Sequence, residues 1–206
     1  MFSEPLTIRA ADSICLKLNS CLTDGIRLTS LIGRRNFMKA QQIIHPFAPC
    51  FDEKSKILIL GSLPSVKSRE QNFYYGHPQN RFWKVLAGCL NQPVPQTIQQ
   101  KKEFILSNHL ALWDIIASCT IEGSSDSSIK DVIPQDLSVV LEHSRITLII
   151  CNGKTSEKYF KKYAAARTTI PMICLPSTSP ANAAYSLDKL ISLWKPVVQS
   201  ILDSSK

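Results

Sequence analysis

A chain of 206 residues with 44% hydrophobic content has the size of one ordinary globular domain, and no apolar run is long enough to span a bilayer. Basic residues outnumber acidic ones, 24 to 16, and the formal charge of +8 favours a polyanionic partner because each neutralised phosphate releases counterions. Seven cysteines, an odd number without a C-x-x-C pair, argue against a disulfide framework and against thiolate-clustered zinc or iron–sulfur sites; no metal and no cofactor is expected, and a reducing cytoplasm fits best.

Residues 1–37 show no sustained hydrophobic period, and Glu4, Asp12 and Asp24 weigh against a transit peptide. Arg34-Arg35 can be encoded as tandem AGG, a ribosome-binding sequence just upstream of Met38. The expectation is therefore an upstream extension over 1–37 and a functional domain over 38–206, with a genuine N-terminal arm as the alternative. His45-Pro46-Phe47-Ala48-Pro49 is expected to lie extended over the surface as a tether.

Lys56-Ile57-Leu58-Ile59-Leu60 is a strand of the kind buried on both faces. It ends at Gly61-Ser62-Leu63-Pro64-Ser65, where small residues and a proline let the backbone turn and approach a ligand. Asn80 to Leu90 carries Phe82, Trp83, Leu86, Ala87 and Leu90 at helical spacing, with Asn80 as cap and Pro93 and Pro95 as the stop. Thr97 to Asn108 predicts a second helix with Ile98, Phe104, Ile105 and Leu106 facing inward.

Leu110 to Ile116 is the second strand, and Asp114 within it is costly to bury unless paired. Glu122 to Ile129 is hydroxyl-rich: either a flexible connector or a clamp in which Ser125 and its neighbours hold phosphates. A helix is expected over Pro134 to His143, and a third strand over Arg145 to Cys151. Asn152-Gly153-Lys154-Thr155 then turns into a helix ending near Ala166, whose amino end suits phosphate, although most such turns are only connections. Met172 to Leu175 is the fourth strand, and Ala181 to about Leu202 is the closing helix, interrupted at Pro196. Apolar strands alternating with helices imply an α/β class, three-layer α/β/α, around a four-stranded parallel sheet with ligands at the carboxyl ends of its strands.

Two motifs carry a family resemblance. Gly61-Ser62-Leu63-Pro64-Ser65 with Tyr74-Tyr75-Gly76-His77-Pro78-Gln79-Asn80-Arg81-Phe82-Trp83 resembles the first motif of the uracil-DNA glycosylase superfamily, and Leu175-Pro176-Ser177-Thr178-Ser179-Pro180-Ala181-Asn182 is similar to its downstream Pro-Ser loop. The joint match runs from about Ile44 to Trp194. Leu63 stands where the mismatch-specific branch has its water-positioning Asn, and this departure resembles the sixth family, the hypoxanthine-DNA (deoxyinosine) glycosylases.

The resemblance implies an enzyme of base excision repair that flips a deaminated base, hypoxanthine foremost, out of double-stranded DNA and hydrolyses its N-glycosidic bond. A uracil or mismatched-thymine glycosylase, or a non-catalytic DNA-binding module of the same fold, are the alternatives. Tyr75, or else Tyr74, stacks on the base; Asp114 is a catalytic candidate that accepts from purine N1–H, or is a turn carboxylate; backbone amides of Ser62 and Leu63 support the departing base. Asn80 is the essential polar residue or merely the helix cap, and His77 is a lesser candidate. Ser65, Ser68, Arg81, Ser125, Lys154, Ser177, Ser179 and Pro180 are the candidate DNA contacts, Pro180 as a small wedge. The protein is expected to act as a monomer, in the bacterial cytoplasm beside its DNA.

Overall fold

Ile57, Leu58, Ile59 and Leu60 are fully buried, as an unbroken run of large aliphatic side chains must be if helices cover both faces of its sheet. They form β2 (Ile57–Gly61), an inner strand of a parallel sheet that also contains β3 (Leu110–Asp114), β6 (Leu148–Asn152) and β7 (Met172–Leu175). The order is β3-β2-β6-β7, with Gly61 opposite Asp114 and Leu60 opposite Cys151, so the carboxyl ends of the strands finish level. The computed structural model describes residues 40–122 and 128–203. The expected extension over 1–37 and the phosphate clamp at Ser125 lie outside the described residues.

The helices are α1 (Val66–Gln71), α2 (Phe82–Leu90), α3 (Ile98–Ser107), α4 (Ser138–Leu141), α5 (Lys154–Tyr163) and α6 (Leu187–Asp203). With the parallel sheet they make the three-layer α/β/α arrangement. Thr97 and Gln100 close a capping box on α3, each side chain satisfying an amide that the helix leaves unpaired. Helix α2 ends at Asn91, left-handed at φ 53°, before the chain reaches Pro93. No helix among the described residues is long and apolar enough to cross a membrane.

A second sheet departs from expectation. β1 (Ala40–Ile44), β4 (Ile116–Glu122) and β5 (Lys130–Pro134) form an antiparallel trio in the order β1-β4-β5. Residues 116–122 and 130–134 are strands rather than a strand end and the start of a helix, and α4 keeps only four residues. The chain leaves the parallel sheet at Asp114 and enters the antiparallel one at Ile116, so what reads as one long apolar run serves two sheets.

Helix α6 begins at Leu187, not Ala181, and continues through Pro196. The amide missing at a mid-helix proline costs about 3 kcal/mol; fully buried Leu190, Trp194 and Val198 on the same helix offset it by packing into the core. Ile98, expected to face inward, is 41% exposed because it opens the first turn of α3, while Phe104 and Ile105 are buried.

Candidate active site

Gly61 ends β2 beside Asp114 at the end of β3, and the loops leaving these strands surround a cavity of about 250 Å³. Ser62, Leu63, Tyr75, Asn80, Asp114, Asn152, Ser177 and Thr178 all line it. The two sequence motifs, about a hundred residues apart, thus meet at one opening. Ser62 and Leu63 are half-buried there, as the turn after an inner strand requires.

Asp114 is 4% exposed and does not stand alone. Its Oδ2 lies 2.9 Å from Nε2 of His45, and the side chains of the pair are 6% and 1% exposed respectively. The Pro-rich segment is therefore no mere surface tether. His45 packs edge-on to Phe47, at 4.6 Å between centroids, and its Nδ1 has no partner among the described residues. Gly61 permits the close approach: a Cβ there would sit 2.0 Å from Asp114 Oδ1 and 3.3 Å from the Tyr75 hydroxyl.

Tyr75 adopts φ 52°, a left-handed conformation that is uncommon for a bulky residue and costs of order 1–3 kcal/mol. That backbone turn brings its ring onto Phe82, with centroids 3.7 Å apart and planes 19° off parallel. Burial pushes the phenol well above the usual tyrosine range, with the Asp114 charge adding to it, and the hydroxyl has no partner among the described residues. Tyr74 also touches the cavity, but its ring is 2% exposed, edge-on to Phe47, and its hydroxyl donates to Ala48 O at 2.9 Å.

Asn80 Oδ1 accepts from the Phe82 amide and from the Thr178 hydroxyl, each at 3.0 Å. Asn80 therefore caps the first amide of α2 and lines the cavity at once. Thr178 is fully buried; its amide donates to Asn152 Oδ1 and its hydroxyl oxygen accepts from Asn152 Nδ2, both at 3.0 Å. Gly153, at φ 97°, leaves no room for a side chain, since a Cβ would meet Ser177 Cβ at 2.7 Å. The second motif is seated on the end of β6 in this way.

Arg81 and Ser68, both expected as DNA contacts, are engaged within the protein. The Arg81 guanidinium donates to the carbonyl oxygens of Thr178, Ser179, Asn182 and Tyr185, so most of its N–H groups are engaged in bracing the second motif. Ser68 is 2% exposed, and its hydroxyl accepts from the Gly76 amide at 3.0 Å, which holds the turn into the first motif's tyrosines. Ser65 is exposed and caps α1 by accepting from the Ser68 amide. Ser177 and Ser179 line the cavity with their hydroxyls accepting from the amides of Ser179 and Ala181, and Pro180 stands exposed between them and Ala181. Lys154 opens α5 at the cavity rim, exposed, with Nζ 2.8 Å from Glu157. His77 accepts from the Gln79 amide within its own turn.

His45, Asn152 and Thr178 are site residues that sequence reasoning missed. His45 has a weak signal, a histidine directly ahead of a Pro-rich segment; Asn152 and Thr178 have signals only once the two strand ends are known to be neighbours.

Residues 48–197 match the Uracil DNA glycosylase superfamily. A hypoxanthine DNA glycosylase of Methanosarcina acetivorans is 34% identical over 155 residues, 73% of this chain and 95% of the relative. One of Methanosarcina barkeri is 36% identical over 115 residues, 55% of this chain and 73% of the relative. Among solved structures, a solution NMR structure of a Methanosarcina acetivorans protein described as a uracil DNA glycosylase superposes with a TM-score of 0.65 at 30% identity, covering 75% of this chain and 96% of that one. Matched across most of its described length, with both motifs converging on one cavity, the chain belongs to the uracil DNA glycosylase superfamily.

Proposed function

We propose that this protein is a hypoxanthine DNA glycosylase that acts on deoxyinosine in double-stranded DNA, as a monomer without metal or cofactor. The observation that carries the reading is the buried Asp114 carboxylate, tied through Oδ2 to His45, at the end of a cavity lined by the Tyr75 ring. A purine lying against Tyr75 would present its N1–H to a carboxylate oxygen, which is an acceptor only. Both curated relatives carry the name hypoxanthine DNA glycosylase, which supports the same substrate.

A base inside a duplex is out of reach, so the nucleotide must first be extruded, and a weakly paired hypoxanthine is cheaper to extrude than a matched base. The exposed Pro180 loop and Lys154 are suited to the flanking backbone, and the chain's net charge of +8 to the approach. Leu63 has no polar group to hold water, which weighs against a uracil-type reaction, while Asn80 lines the same cavity as a polar side chain of the first motif. Its work would be done in the cytoplasm, on the cell's DNA.

The test is free-base release from duplexes containing inosine, uracil, xanthine or an oxidised base, each opposite all four partners. Release of hypoxanthine well ahead of uracil is the expected outcome. Release of uracil or thymine alone would replace this reading with a mismatch glycosylase; salt-sensitive binding with no release would replace it with a DNA-binding module.

A further inference from the structure

We propose that Asn152 and Thr178 are positioning residues that lock the Asn80 amide with its NH2 toward the cavity, so that Asn80 works as a hydrogen-bond donor and not as an acceptor for water. The inference rests on the glycosylase reading for its chemistry. Its geometry is independent of the substrate.

Backbone amides fix the direction of every bond in the chain. The Thr178 N–H can only donate, so the atom of Asn152 it meets at 3.0 Å is Oδ1. Asn152 therefore turns Nδ2 to the Thr178 hydroxyl, again at 3.0 Å. With that lone pair occupied, the Thr178 hydroxyl proton points onward to Asn80, 3.0 Å away. The Phe82 N–H, also 3.0 Å from Asn80, demands an acceptor at the same atom. Asn80 Oδ1 thus receives two hydrogen bonds from groups whose polarity is set, and both its lone pairs are taken. Flipping the amide would set its NH2 against a backbone N–H. The Nδ2 end has no partner among the described residues and is not sealed in the interior, and Asn80 is one of the residues that line the cavity. Thr178 is fully buried, which keeps water from competing for its hydroxyl.

A donor in that place has a defined use. As the C1′–N9 bond breaks, both its electrons go to the purine; water adds its oxygen to C1′, leaves a hydroxyl there, and its other proton neutralises the purine anion. Nδ2–H donation to a purine acceptor stabilises the charge while it develops, and an amide whose orientation is set beforehand does so without reorganising.

The experiment compares single-turnover hypoxanthine release and the 15N–1H side-chain amide signals of the full-length protein. Asn80→Asp keeps both accepted bonds but puts an oxygen where the NH2 was; its rate is expected to fall about a hundredfold or more. A water-activating Asn80 would instead retain or gain rate on that change. Thr178→Val and Asn152→Asp, the latter turning the Thr178 proton away from Asn80, are each expected to shift the Asn80 amide signal and lower kcat with substrate affinity held. Thr178→Ser should restore both. The proposal is overturned if Asn80→Asp is as active as the wild type, or if Thr178→Val leaves the Asn80 signal unmoved. If the folded wild type releases no base, the glycosylase reading falls, while the amide signals still decide whether the lock exists.

Discussion

His45 Nε2 and Asp114 Oδ2 meet at 2.9 Å from positions 69 residues apart, in a site that excludes water from both side chains. A carboxylate at 4% exposure needs such a donor, because an unpaired buried acceptor forfeits the hydration it had in the unfolded chain. The histidine also restricts Asp114 to one rotation, leaving Oδ1 as the oxygen beside Gly61. His45→Ala is expected to lower unfolding stability by about 1–3 kcal/mol and to slow base release further than that loss of folded protein explains. Urea titration beside single-turnover kinetics measures both. His45→Gln, which can still offer an N–H, should recover part of each.

Gly61→Ala separates geometry from stability. The added methyl would fall 2.0 Å from Asp114 Oδ1, so the carboxylate must swing, either breaking from His45 or leaving its place at the cavity. The expected outcome is a protein destabilised by roughly 1–3 kcal/mol that still binds duplex DNA yet has lost nearly all excision. A variant with wild-type turnover would show that Asp114 is not required where it stands.

Arg81 and Lys154 differ in what their charges do, and salt distinguishes them. Arg81→Ala removes the brace from the carbonyls of the second motif, at a cost of about 1.5–3 kcal/mol, but should leave the slope of log affinity against log salt unchanged. Lys154→Ala, on an exposed side chain at the cavity rim, should reduce that slope by about one with thermal stability held. DNA-binding titrations between low and moderate salt decide.

At the start of α5, hydrogen bonds from Lys154 and Lys161 hold the Glu157 carboxyl down to about 2. A folded-state value depressed below the ordinary one, 4.5, contributes stability that is complete above about that pH and is lost as pH falls from there toward 2. Glu157→Gln should therefore flatten the acid limb of the stability profile over that window and leave the neutral region nearly as it was. Thermal melts from pH 2 to 7 provide the check. The effect is modest because the lysines are exposed.

The parallel sheet was legible because each of its strands is apolar enough to be buried on both faces, and the cavity was legible because Gly61 and the Pro176-Ser177 loop mark strand ends. The antiparallel trio was not, since Ile116–Glu122 follows Asp114 without any turn residue to show that the chain has changed sheets. Tyr75 and Asn80 could be placed from the motif alone. Arg81 could not: an arginine in a basic region reads as a phosphate contact until its carbonyl partners, about a hundred residues downstream, are seen around it. His45 was opaque for the same reason, because the prolines that follow it advertise an exposed segment and say nothing of the side chain that precedes them. Residues that act across the sheet announce themselves only through their partners.

The outer margin of β3 is closed by Cys50, which exchanges both backbone bonds with Leu112, at 3.0 and 2.8 Å. At the opposite margin β7 has only four residues and lies between Pro171 and Pro176. Neither border therefore offers a long ladder of unpaired amides to a neighbouring copy. Copies of the chain brought close together are thereby kept from zipping their parallel sheets into one.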